Sequence, residues 1–101
     1  LIINKPAGIE VLDNVEHNLT TLIQNKYNTN NNLPYPCHRL DRNTSGLIIY
    51  AKTEEALNIL NDKIEKHEIL KFYKCTIIGI PNKKEATLED YLKNIYQIIY
   101  F

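Results

Sequence analysis

The sequence predicts a mixed α/β or α+β domain built around one sheet, and three observations carry that expectation. Short apolar runs rich in Ile, Leu and Tyr recur along the chain, as strands do. Two stretches between them repeat their apolar residues at helical spacing behind residues that cap helices. The three glycines, Gly8, Gly46 and Gly79, each fall at the start or end of an apolar run, where a turn needs unusual backbone angles.

Leu1 to Asn4 reads as a buried strand, ended by the turn Lys5-Pro6-Ala7-Gly8. Ile9 to Leu12 is expected to resume extended structure. Asn18 or Thr20 caps a short helix through about Tyr27, with Leu19, Leu22 and Ile23 on one face. Asn28 to Asn32 is polar and of low complexity, a solvated loop within an insertion spanning 28–36. Pro34 and Pro36 then hold the chain extended. His38 to Ser45 has no period and reads as a loop, and Gly46 to Ala51 as a strongly apolar strand. Thr53 caps a helix to about Lys66, with Glu54 and Glu55 where the helix dipole favours acids. Its apolar positions are Ala56, Leu57, Leu60 and Ile64. Leu70 to Ile80 reads as a strand ended by Gly79 and Pro81. Thr87 to Lys93 reads as a helical turn, and Ile95 to Phe101 as a final strand.

At 101 residues, 44% apolar and 24% charged, the chain is one small globular domain at most. It has no Met, opens on Leu1-Ile2-Ile3 and closes on Ile98-Ile99-Tyr100-Phe101. Natural termini are usually polar, so a fragment of a longer chain is expected. No apolar run reaches the roughly 18 residues that span a bilayer. Two cysteines, Cys37 and Cys75, read as free thiols in a reducing compartment, which suggests the cytoplasm.

The formal net charge is zero, so any contact with a polyanion must be local. Between Pro36 and Thr53, Arg39, Arg42 and Lys52 face only Asp41. The background adds a second clue. Ten of the twelve basic residues are Lys, and the only arginines, Arg39 and Arg42, flank Asp41. A composition that otherwise uses Lys implies a need for the planar, permanently charged guanidinium here. The bland alternative is a surface ion-pair cluster.

A charged loop that runs straight into a buried strand holds its side chains on a rigid edge, as catalytic loops do. Nearby positive charge favours the ionised form of Asp41. Such a carboxylate suits nucleophilic attack or stabilisation of a cationic sugar centre. Thr44 and Ser45 can bond the backbone and stiffen the turn. Other chemistries fit poorly. The order His38-Arg39-Leu40-Asp41 departs from the kinase catalytic loop, and no glycine-rich loop accompanies it. Cys37 and His38 lack two further ligands at zinc spacing.

Asn4-Lys5-Pro6-Ala7-Gly8, then His38 through Leu47 leading into an apolar strand and Ala51-Lys52, then Lys71-Phe72-Tyr73 closely resemble the RluA-type RNA pseudouridine synthases. The three motifs stand in the family's order. The resemblance implies an α+β fold with a mixed, mainly antiparallel sheet and flanking helices, of which residues 1–101 form a partial catalytic domain. It implies an isomerase that turns uridine into pseudouridine in rRNA or tRNA, without metal or organic cofactor, as a monomer with RNA as partner and no membrane. By position, Asp41 corresponds to the catalytic aspartate and Tyr73 to the active-site tyrosine against the uracil. Arg39 corresponds to the arginine that displaces the target nucleotide, and His38, Arg42, Lys5 and Lys71 are expected on the RNA side. The family's later Gly-Arg…His-Gln-Ile-Arg motif is missing, since no arginine follows Arg42. Truncation is the expected cause, and no N-terminal RNA-binding module is expected within residues 1–101. The alternative is a non-catalytic RNA-binding fragment or relative.

Overall fold

The computed structural model describes residues 1–13, 16–27, 33–92 and 95–100. Two compact units divide the chain, Leu1–Lys71 and Phe72–Phe101.

In the first unit, β1 (Ile2–Lys5), α1 (Leu19–Tyr27), β2 (Tyr35–Pro36), β3 (Gly46–Ala51) and α2 (Glu54–Glu65) follow in order. The sheet order is β1-β3-β2. β3 is central, antiparallel to β1 from Ile2↔Ile49 to Lys5↔Gly46 and to β2 at Tyr35↔Ala51 and Pro36↔Tyr50. β3 is almost wholly apolar, but only one of its faces lies on the core, and Leu47 on the other is 66% exposed. Its Ile48 and Tyr50 point into a core with Val11, Leu19, Ile23 and Leu40, while Leu1, Ile3 and Ile9 pack against it.

The start of α1 is satisfied by three separate devices, as the free N–H groups of a first turn require. Asn18 Oδ1 accepts from the Thr21 N–H at 2.9 Å, so Asn18 is the cap. The carbonyls of Glu10 and Val11 accept from the Leu19 and Thr20 N–H groups at 2.9 and 3.0 Å. The segment expected as extended at Ile9–Leu12 is therefore irregular, shaped to meet the helix. The buried face is Leu19, Thr20 and Ile23; Leu22, expected inside, is 51% exposed. Thr20 takes its place because its hydroxyl has partners. It donates to the Val11 carbonyl at 2.6 Å and lies 3.0 Å from the Tyr50 hydroxyl. With its one proton spent on Val11, Thr20 receives the proton of Tyr50. Burial pushes the Tyr50 phenol above its usual range, against the hydrogen bond to Thr20. Tyr50→Phe is expected to cost about 1 kcal/mol of unfolding free energy, the net worth of one buried hydrogen bond. Urea denaturation measures it, and an unchanged midpoint would contradict this network.

The second helix forms as its sequence implies. Thr53 accepts from the Ala56 N–H at 3.2 Å. The helix ends on His67, left-handed at φ 56, with the Glu68 N–H reaching back to the Lys63 carbonyl at 2.9 Å. This is a Schellman stop without glycine. Ala56, Leu57, Leu60 and Ile64 are half-buried.

Three expectations are corrected. Leu70 to Ile80 is not a strand; it has no regular structure, and Phe72 is 89% exposed. Strand-like residues become a strand only where a neighbour takes up their backbone bonds, and among the described residues none does. Thr87 to Lys93 is not a helical turn, because β4 (Thr87–Leu92) pairs antiparallel with β5 (Ile95–Tyr100). The expected single sheet is two, of three and two strands, with every described pairing antiparallel. The α+β class stands. Within the insertion expected at 28–36, residues 28–32 lie outside the described residues, and Tyr35–Pro36 is extended as β2.

Candidate active-site loop

Residues 37–45 connect β2 to β3 and close over the turn that follows β1. The loop is fixed from inside by Leu40, which is buried in the core. Asp41, the next residue, is exposed, and its carbonyl accepts from the Thr44 N–H at 3.0 Å. Gly46, where the loop enters β3, has φ 138, a conformation that side chains disfavour.

The loop and the turn are joined by a compact set of bonds. The Arg42 carbonyl accepts from the Gly8 N–H at 2.8 Å and from Lys5 Nζ at 2.9 Å. Lys5 also donates to the carbonyls of Ile9 at 2.8 Å and Pro6 at 3.0 Å. All three ammonium protons are thus used, and the side chain is 0% exposed. Lys5, expected on the RNA side, is instead an internal tie between the two motifs. Burial of a charge is tolerated only with such full hydrogen bonding.

The two arginines do not pair with Asp41. Arg39 Nη2 donates to the Leu12 carbonyl at 3.3 Å and Arg42 Nε to the Gly8 carbonyl at 3.2 Å. Both are exposed, with further donors turned to solvent. Among the described residues the ion pairs are Lys63–Glu68 and Lys66–Asp62, both on or just after α2, so the Asp41 carboxylate carries none.

His38, also expected on the RNA side, has its Nε2 accepting from the Ile49 N–H at 3.2 Å. That bond requires an unprotonated Nε2 and puts the proton on Nδ1, which is buried without a partner among the described residues. Burial, then the positive charge of Lys71, hold the imidazole below its usual 6.5. Because the folded value lies below the unfolded one, its contribution to stability is present above about pH 6.5 and is lost as pH falls through the folded value. Denaturation midpoints should therefore drop on acidification below about pH 6.5. His38→Gln should remove part of that slope; an identical slope would refute the role.

Cys37 and Cys75 are free. Burial, opposed by a backbone hydrogen bond to Ala51, pushes the Cys37 thiol up, which disfavours the thiolate. Lys71 and Tyr73 are exposed, Tyr73 by 62%. Lys71 ends the first unit, and Tyr73 lies in the second. The structure thus brings Lys5 to Arg42 and the loop of Asp41, with Arg39 on the same loop. Among the described residues no group of three could hold a metal ion, and no helix is long and apolar enough to cross a membrane.

The fold and the loop together give an α+β scaffold with an exposed carboxylate flanked in sequence by two arginines held on main-chain carbonyls. The family model for RNA pseudouridylate synthase matches residues 1–100. The mitochondrial tRNA pseudouridine(32) synthase of Saccharomyces cerevisiae is 33% identical over 94% of this chain and 21% of its own length. A Bacillus subtilis protein named as an uncharacterized RNA pseudouridine synthase is 37% identical over 89% of this chain and 32% of its own. The tRNA pseudouridine synthase C of Haemophilus ducreyi is 33% identical over 78% and 33%. The chain therefore spans about a fifth to a third of the curated relatives it matches. No solved structure matches. The chain belongs to the RNA pseudouridylate synthase family.

Proposed function

We propose that the protein containing this chain isomerises uridine to pseudouridine in RNA, with Asp41 as the catalytic carboxylate. The observation that carries the proposal is Asp41 itself, a free, exposed carboxylate on a loop fixed at both its neighbours, in a chain of this family. The reaction breaks the bond between uracil N1 and the ribose anomeric carbon and makes one from C5 to that carbon. A fixed anion can attack that carbon or stabilise its developing positive charge. The hydrogen at C5 then leaves as a proton, and N1, which keeps the electron pair of the broken bond, takes up a proton.

Arg39 supports the reading from the RNA side. Its exposed guanidinium, steadied at Leu12, can fill the stack left by an extruded nucleotide, offsetting a cost of a few kcal/mol. Tyr73 is assigned to the face of the uracil and Lys71 to phosphate, both side chains being exposed. Two of the relatives are named as tRNA enzymes, which makes tRNA the first substrate to try, ahead of rRNA. Free thiols at Cys37 and Cys75 fit a reducing compartment such as the cytoplasm.

Tritium release from RNA labelled at uracil C5, with the full-length protein, tests the proposal. Release from tRNA or rRNA transcripts above a protein-free control supports it and identifies the substrate class. No release from either would overturn it.

A further inference from the structure

We infer that Arg42 is a positioning residue, which holds the Asp41 loop on the Pro6–Gly8 turn through its Nε–H rather than supplying charge to the RNA. The inference rests on the reading of Asp41 as the catalytic carboxylate.

Gly8 and Arg42 grip each other twice. The Gly8 N–H donates to the Arg42 carbonyl at 2.8 Å, and Arg42 Nε donates back to the Gly8 carbonyl at 3.2 Å. Both polar groups of Gly8 are thereby tied to one residue, next to Asp41. Gly8 sits at φ 94, so the turn depends on a left-handed glycine and has no side chain of its own to lock it. Lys5 holds the same Arg42 carbonyl. Of the bonds in this junction, only the one from Nε depends on the side chain at position 42. On the other flank of Asp41, Leu40 is buried in the core. Loss of the Nε bond therefore loosens one side of Asp41 while the other stays fixed. A small misplacement of a reacting group costs rate more than affinity.

Covalent geometry gives a discriminating set of variants. Glutamine carries its amide nitrogen at the same number of bonds from the backbone as arginine Nε, without the charge. Lysine keeps the charge and moves the nitrogen one bond farther out. A chain that uses Lys for ten of its twelve basic residues nonetheless has Arg here, which fits a demand for the donor at that distance.

The test is made on the full-length protein with Arg42→Ala, Arg42→Gln and Arg42→Lys, following kcat, KM for RNA, and hydrogen exchange at the Gly8 amide. Arg42→Ala is expected to lower kcat about tenfold with KM within about twofold, the split for a residue acting through another. Gly8 protection should fall in parallel. Arg42→Gln should recover both, and Arg42→Lys neither. If Lys recovers activity, Gln behaves as Ala and the loss lies in KM, Arg42 is an RNA charge contact and the inference is overturned. The exchange measurement stands apart from catalysis. Should the protein release no tritium, the functional proposal fails, while unchanged Gly8 protection in Arg42→Ala would separately overturn the anchoring.

Discussion

Asp41→Asn is expected to abolish tritium release, by at least about a thousandfold in kcat. The substitution keeps the shape of the side chain and removes the negative charge. Because Asp41 is exposed and carries no ion pair among the described residues, little in the fold depends on that charge. The unfolding free energy should stay within about 0.5 kcal/mol, as for surface substitutions generally. Both outcomes matter, since a lost activity with a lost fold would say nothing of chemistry. Single-turnover release with excess protein, beside a urea melt of each variant, separates them. An Asn variant that retains a tenth or more of the rate would remove Asp41 from the reaction.

Lys5→Met is expected to give the largest loss of stability, about 1–3 kcal/mol, the range for leaving buried polar groups without a partner. Methionine fills a similar apolar volume but offers no donor. The carbonyls of Pro6 and Ile9 lose the Lys5 donor, and the Arg42 carbonyl keeps only Gly8. Set against a typical total of about 5–15 kcal/mol, this is a large fraction. Lys5→Arg should not restore it, because a planar fork cannot send three donors toward three separately placed carbonyls. Activity should fall with stability, since the same bonds hold the loop of Asp41. A denaturation midpoint equal to that of the natural protein would show that the buried ammonium does not hold this junction together.

Much of the local structure was legible because its causes are local. The apolar run Gly46–Ala51, the Thr53 cap and the helical spacing from Ala56 to Ile64 need no distant partner, and each element forms where the sequence puts it. The segments misread are those whose state is chosen by a partner. Leu70–Ile80 has a strand's residues without a ladder, and Thr87–Leu92 becomes a strand through pairing with Ile95–Tyr100. Leu22 and Thr20 exchange places because Thr20 finds Val11 and Tyr50, which a hydrophobic pattern does not register.

At the site, the loop, its place before a buried strand and the singular status of Arg39, Asp41 and Arg42 could be read directly from the chain. Residue scarcity and motif order are properties of the chain alone. What each charge does follows from contacts between distant segments. The fold buried Lys5 as a tie, turned His38 to a backbone N–H, and sent both arginines to main-chain carbonyls, leaving Asp41 free. The physical reason is that a charged side chain settles on whichever acceptors the fold brings within about 3 Å of it. For Arg42 and Arg39 those acceptors are Gly8 and Leu12, 34 and 27 residues earlier in the chain, and Lys5 reaches the Arg42 carbonyl 37 residues later.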